Sequence, residues 1–215
     1  MRFASILALC ATALLAAPPP SSAAPAPTAA ASHMPPHAAA SHVSPRAASV
    51  DVAIQTSAGT IVVRLDAAHA PRTTANFLHY VDLGTYNGTT FYRAVSRANE
   101  PSSKIEVIQG GLNPQGPNPM IRPIELEPTN KTGLHNTDGT IAMARTSDPN
   151  SASTEFFLCI GDNRFLDAGG PLDPGYAAFG KVIRGANVVR AIQPAHANGE
   201  MLAPPIRIVK MTRLH

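Results

Sequence analysis

Val50-Asp51-Val52-Ala53-Ile54-Gln55-Thr56 alternates apolar and polar residues in the manner of a strand with one buried face. Ser57-Ala58-Gly59 is a turn signal, and Thr60-Ile61-Val62-Val63-Arg64-Leu65 is a second, β-branched run. Together they predict a hairpin with a short Gly-containing loop. Downstream, Pro71 suits the first turn of a helix, where its fixed φ is favourable and its missing N–H costs nothing. Ala75, Phe77, Leu78 and Val81 supply the apolar face of that helix, and Gly84 is its stop.

Further strands are expected at Thr90 to Val95, Ile105 to Gln109, Thr140 to Ala144, Phe156 to Ile160, Ala178 to Ile183 and Ile206 to Met211. A second helix is expected from Ala186 to Ile192, ahead of Pro194. Eight strands with two good helices predict a mainly β fold: an antiparallel sheet closed into a barrel, helices covering its ends. The connections Gly110 to Pro119 and Ser147 to Ser153 are too long for simple turns. On a rigid barrel such loops carry binding groups. Asn87-Gly88-Thr89 and Asn130-Lys131-Thr132 match a glycosylation pattern but read better as turn chemistry.

The chain ahead of the hairpin has a different character. Arg2 followed by the apolar stretch Phe3 to Ala17 and small residues thereafter predicts a secretory signal peptide over 1–23. That apolar run is shorter than the roughly 20 residues of a spanning helix, so no stable membrane insertion is expected after cleavage. Residues 24–49 are rich in Ala, Pro, Ser and His, too poor in large apolar groups to offset their ordering entropy, and are expected to be a disordered tether. Residues 50–215 form the single domain. Export predicts a periplasmic or secreted protein.

Composition removes several function classes. Of the 2 cysteines, Cys10 lies in the signal, so Cys159 has no internal disulfide partner and is expected to be a buried apolar residue. A formal net charge of +3 without a Lys/Arg run gives no support for nucleic-acid binding. No hydrophobic repeat argues for oligomerisation, and a monomer is expected. The sequence lacks a G-x-S-x-G elbow, a phosphate-binding Gly loop, an H-E-x-x-H pair and a C-x-x-C pair.

What remains is an ordered set of segments. Thr90-Phe91-Tyr92-Arg93 sets one cation among aromatic and apolar residues. Val107-Ile108-Gln109-Gly110-Gly111 ends a strand on an amide and a Gly pair. Gly139-Thr140-Ile141-Ala142-Met143-Ala144-Arg145 follows, then Ser153-Thr154-Glu155-Phe156-Phe157, in which one aromatic should face the core and the other outward. Arg164-Phe165-Leu166-Asp167 and Tyr176-Ala177-Ala178-Phe179-Gly180-Lys181-Val182 complete the set.

In these segments, and in their unbroken order from Val50 to Met211, the chain resembles the cyclophilin-type peptidyl-prolyl cis-trans isomerases, most nearly their bacterial periplasmic branch. The resemblance implies an eight-stranded antiparallel barrel capped by two helices, a peptide groove on its outer face, and no metal or cofactor. It puts the family's catalytic arginine at Arg93 and its groove glutamine at Gln109. It implies a proline pocket floored by Phe157, Leu166 and Val107, the last replacing a more usual methionine. Phe165 stands where many eukaryotic members carry tryptophan, a residue that contributes to cyclosporin binding, and Tyr176 where they carry histidine. Met143, Ala144 and Arg145 align with the strand that pairs with substrate backbone. Glu106 and Glu155 depart from the pattern: the first replaces a pocket phenylalanine, the second a frequent glutamine.

The chemistry suits these residue types. Prolyl isomerisation breaks no bond; it removes amide resonance across a barrier near 20 kcal/mol. A guanidinium aimed at the prolyl nitrogen binds the lone pair that appears only when the bond twists, so it favours the transition state over both planar forms. The expected function is isomerisation of X-Pro bonds in proline-containing polypeptides, assisting the folding of exported proteins. The alternatives are a proline-peptide-binding chaperone or scaffold with weak or no catalysis, and a secreted factor attached to a partner through its tether.

Overall fold

In the computed structural model, which describes residues 49–112 and 121–214, the opening hairpin forms as β1 (Ser49–Thr56) and β2 (Gly59–Asp66). Residues 1–48, expected to hold the signal peptide and most of the tether, and most of the connection from Gly110 to Pro119 lie outside the described residues. β3 (Thr90–Val95), β4 (Val107–Gly111), β5 (Thr140–Met143), β6 (Phe156–Cys159), β7 (Ala178–Arg184), the two-residue β8 (Ala197–Asn198) and β9 (Met201–Leu214) follow. The sheet runs β1-β2-β7-β5-β6-β4-β3-β9, and β9 pairs back onto β1. Every pairing is antiparallel, so eight strands close into a barrel and β8 is a hairpin extension of β9.

Strand alternation fills the barrel. Val52, Ile54, Ile61, Val63 and Leu65 point inward from the hairpin, joined by Phe91, Ile108, Ile141, Met143, Phe156, Leu158 and Phe179, all fully buried. Helix α1 (Pro71–Asp82) begins on its proline and lays Phe77, Leu78, Tyr80 and Val81 over one end. The Phe77 ring meets Phe156 edge-on at 5.5 Å, a favourable quadrupole geometry. The helix α3 (Ala186–Ile192) adds Val188, Val189 and Ile192 to the same core. Between them lies α2 (Thr129–Thr132), a single helical turn ended by Gly133 in the left-handed region, where the glycosylation-like triplet sits. At the other triplet, Gly88 has φ 81° and the Asn87 side-chain carbonyl accepts the Met211 N–H at 3.0 Å, so this Asn-Gly pair serves as turn chemistry.

The last strand is longer than sequence periodicity predicts: it starts at Met201, not Ile206. Pro204 and Pro205 hide its beginning, since proline lacks the N–H of a sheet ladder. The register explains how they fit. Phe91 pairs with Ile206 and Arg93 with Met201, so the residues between leave the β3 ladder, and Leu202 turns back to pair with Ala197. Among the described residues no helix is long and apolar enough to cross a membrane.

Candidate active site

One row of residues crosses four strands on the barrel's outer face. Arg93 on β3 is registered with Gln109 on β4, Gln109 with Phe157 on β6, and Phe157 with Ala142 on β5. The next row carries Val95, Val107 and Cys159. Phe157, Val107, Val95, Ala142, Ala144, Cys159, Ile105, Leu166 and Tyr176 form a second apolar cluster outside the barrel core, with Phe165 and Leu172 packed against it. A charged and hydrogen-bonding end of the row therefore adjoins an apolar floor.

A β-bulge builds the polar end. Phe91 faces the barrel core and pairs with Gly110, but the next paired residue is Arg93 with Gln109, so Tyr92 is the extra residue. The bulge turns two successive side chains outward. Both reach Gln109. Arg93 Nη1 donates to Gln109 Oε1 at 2.8 Å, and Gln109 Nε2 donates to the Tyr92 hydroxyl at 2.7 Å and to Glu155 Oε2 at 3.2 Å. Both amide hydrogens of Gln109 are thereby engaged within the protein. The Gly pair after Gln109 permits the close strand packing this needs. A Cβ on Gly110 would lie 2.8 Å from the Thr90 carbonyl oxygen, and one on Gly111 2.6 Å from that of Thr154.

The electrostatics follow from burial. Desolvation raises the Glu155 carboxyl above the ordinary carboxylate range, against hydrogen bonds from Tyr92 and Gln109 and the charge of Arg93. Burial likewise pushes the Tyr92 phenol up, with the Glu155 charge adding to it. Arg93 itself is only 13% exposed and meets a carboxylate that sequence reading passes over: Nε and Nη2 lie 2.8 and 2.7 Å from Glu200 Oε2.

The apolar end is held by the segment 163–176. Asn163 accepts the Glu106 N–H at 2.7 Å and donates to the carbonyls of Ile160 and Glu106. Asp167 accepts from the Asn136 backbone N–H and side-chain amide and contacts His135 Nδ1 at 2.7 Å. These clips seat Leu166, and Tyr176 meets Phe157 edge-on at 5.7 Å. A cation joins the aromatic pair, since the Arg145 guanidinium lies 4.6 Å from the Tyr176 ring centre and donates to the Gly175 carbonyl.

This row-and-floor arrangement sits in a chain whose residues 50–213 match the family model for cyclophilin type peptidyl-prolyl cis-trans isomerase/CLD. The chain belongs to the cyclophilin-type peptidyl-prolyl cis-trans isomerases. It is similar to peptidyl-prolyl cis-trans isomerase cyp18 of Streptomyces antibioticus, with 43% identity over 143 residues covering 65% of this chain and 81% of the relative. To peptidyl-prolyl cis-trans isomerase A of Dickeya dadantii it is 42% identical over 144 residues, covering 65% and 68%. Among solved structures, a cyclophilin type isomerase of Cryptosporidium parvum shares the fold, with a TM-score of 0.65 at 21% identity, covering 78% of this chain and 98% of that one. The chain is thus a peptidyl-prolyl cis-trans isomerase, an enzyme of a family that binds proline-containing peptides.

The cyclophilin barrel brings together Arg93, Gln109, Phe157, Val107, Leu166, Ala144, Phe165 and Tyr176 around this surface. Met143 stands apart: its side chain is fully buried in the barrel core, because alternation along β5 sends Ala142 and Ala144 outward and Met143 inward. Its N–H already donates to the Ala177 carbonyl at 3.0 Å. Arg145 is occupied by the backbone and ring of the 172–176 segment. Glu106 does not enter the floor; it is one-third exposed, its nearest cation Arg97 at 3.8 Å. Ile105, 4% exposed, supplies the apolar wall at this point. Cys159 is fully buried, and burial raises its thiol, so it serves as a small apolar residue.

Proposed function

We propose that Arg93 is the catalytic group of this isomerase and that its substrates are proteins exported from the cell. The carrying observation is the single row in which Arg93, Gln109 and Phe157 adjoin. A proline ring seated on Phe157, Leu166, Val107 and Ile105 has its nitrogen on the side toward Arg93. As the X-Pro bond twists, the prolyl nitrogen regains its lone pair and accepts an N–H of the guanidinium. Arginine suits the task because it stays charged and presents a rigid fork of donors. Gln109, its amide spent on Tyr92 and Glu155, holds the arginine from one side. No step requires a titrating acid, base or cofactor.

The N-terminal sequence supports export. A basic tip, an apolar stretch and small residues precede an Ala/Pro-rich segment, which together favour a periplasmic or secreted destination for a monomeric domain on a tether. N-terminal sequencing of the protein recovered from cell fractions tests this, with a start near Ala24 outside the cytoplasm as the expected result. Catalysis is tested by a protease-coupled assay on short X-Pro peptides. Arg93→Ala is expected to lose about 100-fold or more in kcat/KM, as removal of a transition-state donor does. Full activity in that variant rejects the assignment.

A further inference from the structure

We propose that Glu200 is a positioning residue that fixes the Arg93 guanidinium before substrate arrives. The proposal rests on the reading of Arg93 as the catalytic group. Glu200 Oε2 receives both Nε and Nη2 of Arg93, at 2.8 and 2.7 Å, across 107 residues of sequence. Its hairpin is itself fastened to β3. Asn198 pairs with Met201, Met201 with Arg93, and the Ala94 N–H donates to the Glu200 carbonyl at 2.8 Å. Asn99 ties the same turn down from the other side, donating through Nδ2 to the carbonyls of Ala94 and Gly199. The carboxylate is thus a fixed post and not a passing surface partner.

The geometry divides the guanidinium's five donors. Glu200 takes one edge, Nε–H and one hydrogen of Nη2, and Gln109 Oε1 takes one hydrogen of Nη1. One N–H on each terminal nitrogen is left unclaimed by these two partners. A free arginine side chain samples many rotamers, and that freedom is lost when its fork is aimed at a substrate. Holding it from both sides removes that loss from the catalytic step and aims the remaining donors. A carboxylate pairing also keeps a partly buried cation from being stranded without a counter-charge.

Truncation of Glu200 should therefore be felt in turnover more than in binding. Glu200→Ala is expected to lower kcat about tenfold, as loss of orientation does, with KM within about twofold. By ¹⁵N–¹H NMR the Arg93 Nε–H resonance should be sharp in the wild type, as its bond to Glu200 predicts, and should broaden or vanish in that variant. Glu200→Gln keeps an acceptor oxygen on the same hairpin and should recover kcat to within about threefold of the wild type. The proposal is overturned if Glu200→Ala keeps wild-type kcat, if it raises KM alone, or if Glu200→Gln is as slow as Glu200→Ala. Arg93→Ala, measured alongside, separates the two readings. If that variant stays active, the role given to Arg93 fails first; if it is inactive while Glu200→Ala is unimpaired, only the role of Glu200 fails.

Discussion

Phe156 and Phe157 are neighbours in the chain and belong to different apolar cores. The first packs among Phe77, Tyr86 and Phe91 inside the barrel, and the second lies with Val107, Leu166 and Tyr176 on its outer wall. The wall of the barrel is one residue thick, and a single strand packs the core on one side and carries the proposed proline pocket on the other.

Truncation at the two positions should separate those roles. Phe156→Ala is expected to cost about 3–5 kcal/mol of stability, as large-to-small changes in a full core do. Phe157→Ala should cost less stability but lower kcat/KM about ten- to hundredfold through the lost pocket floor. Denaturant unfolding beside peptide kinetics checks both. Equal losses of stability at the two positions would contradict the division.

Acid should report on Glu155. Its carboxyl is raised in the folded protein above an ordinary value near 4.5, chiefly by burial. The folded state then holds a proton that the unfolded chain has already released, so stability is highest below the unfolded value and falls as pH rises through the folded one. Glu155→Gln removes this titration. Its melting temperature should exceed the wild type's at neutral pH, where the buried carboxyl has lost its proton. Scanning calorimetry across the acid range should show the gap closing as pH falls below the ordinary value. A gap that stays constant with pH would exclude Glu155 as its source.

The floor next to β4 discriminates between two adjacent residues. Ile105→Ala should raise KM for X-Pro peptides, because it opens the apolar wall, by roughly the ten- to hundredfold expected of a lost hydrophobic contact. Glu106→Ala should change KM by less than about twofold, since its carboxylate is partly exposed and its one ion pair is long. Steady-state kinetics of the two variants decide it; the reverse order would mean that Glu106 faces the substrate.

Gly110→Ala tests how tightly the row is drawn. The new methyl group would meet a backbone carbonyl at 2.8 Å and the Phe91 ring at 2.9 Å, and a carbonyl in a ladder cannot rotate away. A loss of about 1–3 kcal/mol is expected. Activity at a temperature where the variant remains folded should also fall, because β3 and β4 carry Arg93 and Gln109. Wild-type stability would show that the strands have room to part.

The barrel and much of the site were legible in the sequence, for reasons that differ along the chain. Alternation announced the opening hairpin, and Pro71 and Gly84 bracketed the first helix because proline and glycine constrain the backbone locally. Pro204 and Pro205 hid the start of β9, since a ladder detour leaves no periodic trace. The bulge at Tyr92 was equally silent: it shifts register by one residue without any composition to mark it. Ile105 looked like an ordinary strand residue until its neighbour Glu106 proved to stand outside the floor. Glu200 could not be found by pattern, because its meeting with Arg93 depends on the register of three strands.

The closure of the barrel has a practical side. β1 and β9 pair with each other, Asp51 opposite Leu214, while the row from Arg93 to Ala142 runs over β3, β4, β6 and β5. The entry and exit of the folded domain thus share one seam, away from most of the working wall. A linker of hairpin length joining them, with new ends cut at an exposed loop, should yield a circularly permuted enzyme. A fusion or surface anchor at either original end should likewise leave isomerase activity on short X-Pro peptides intact.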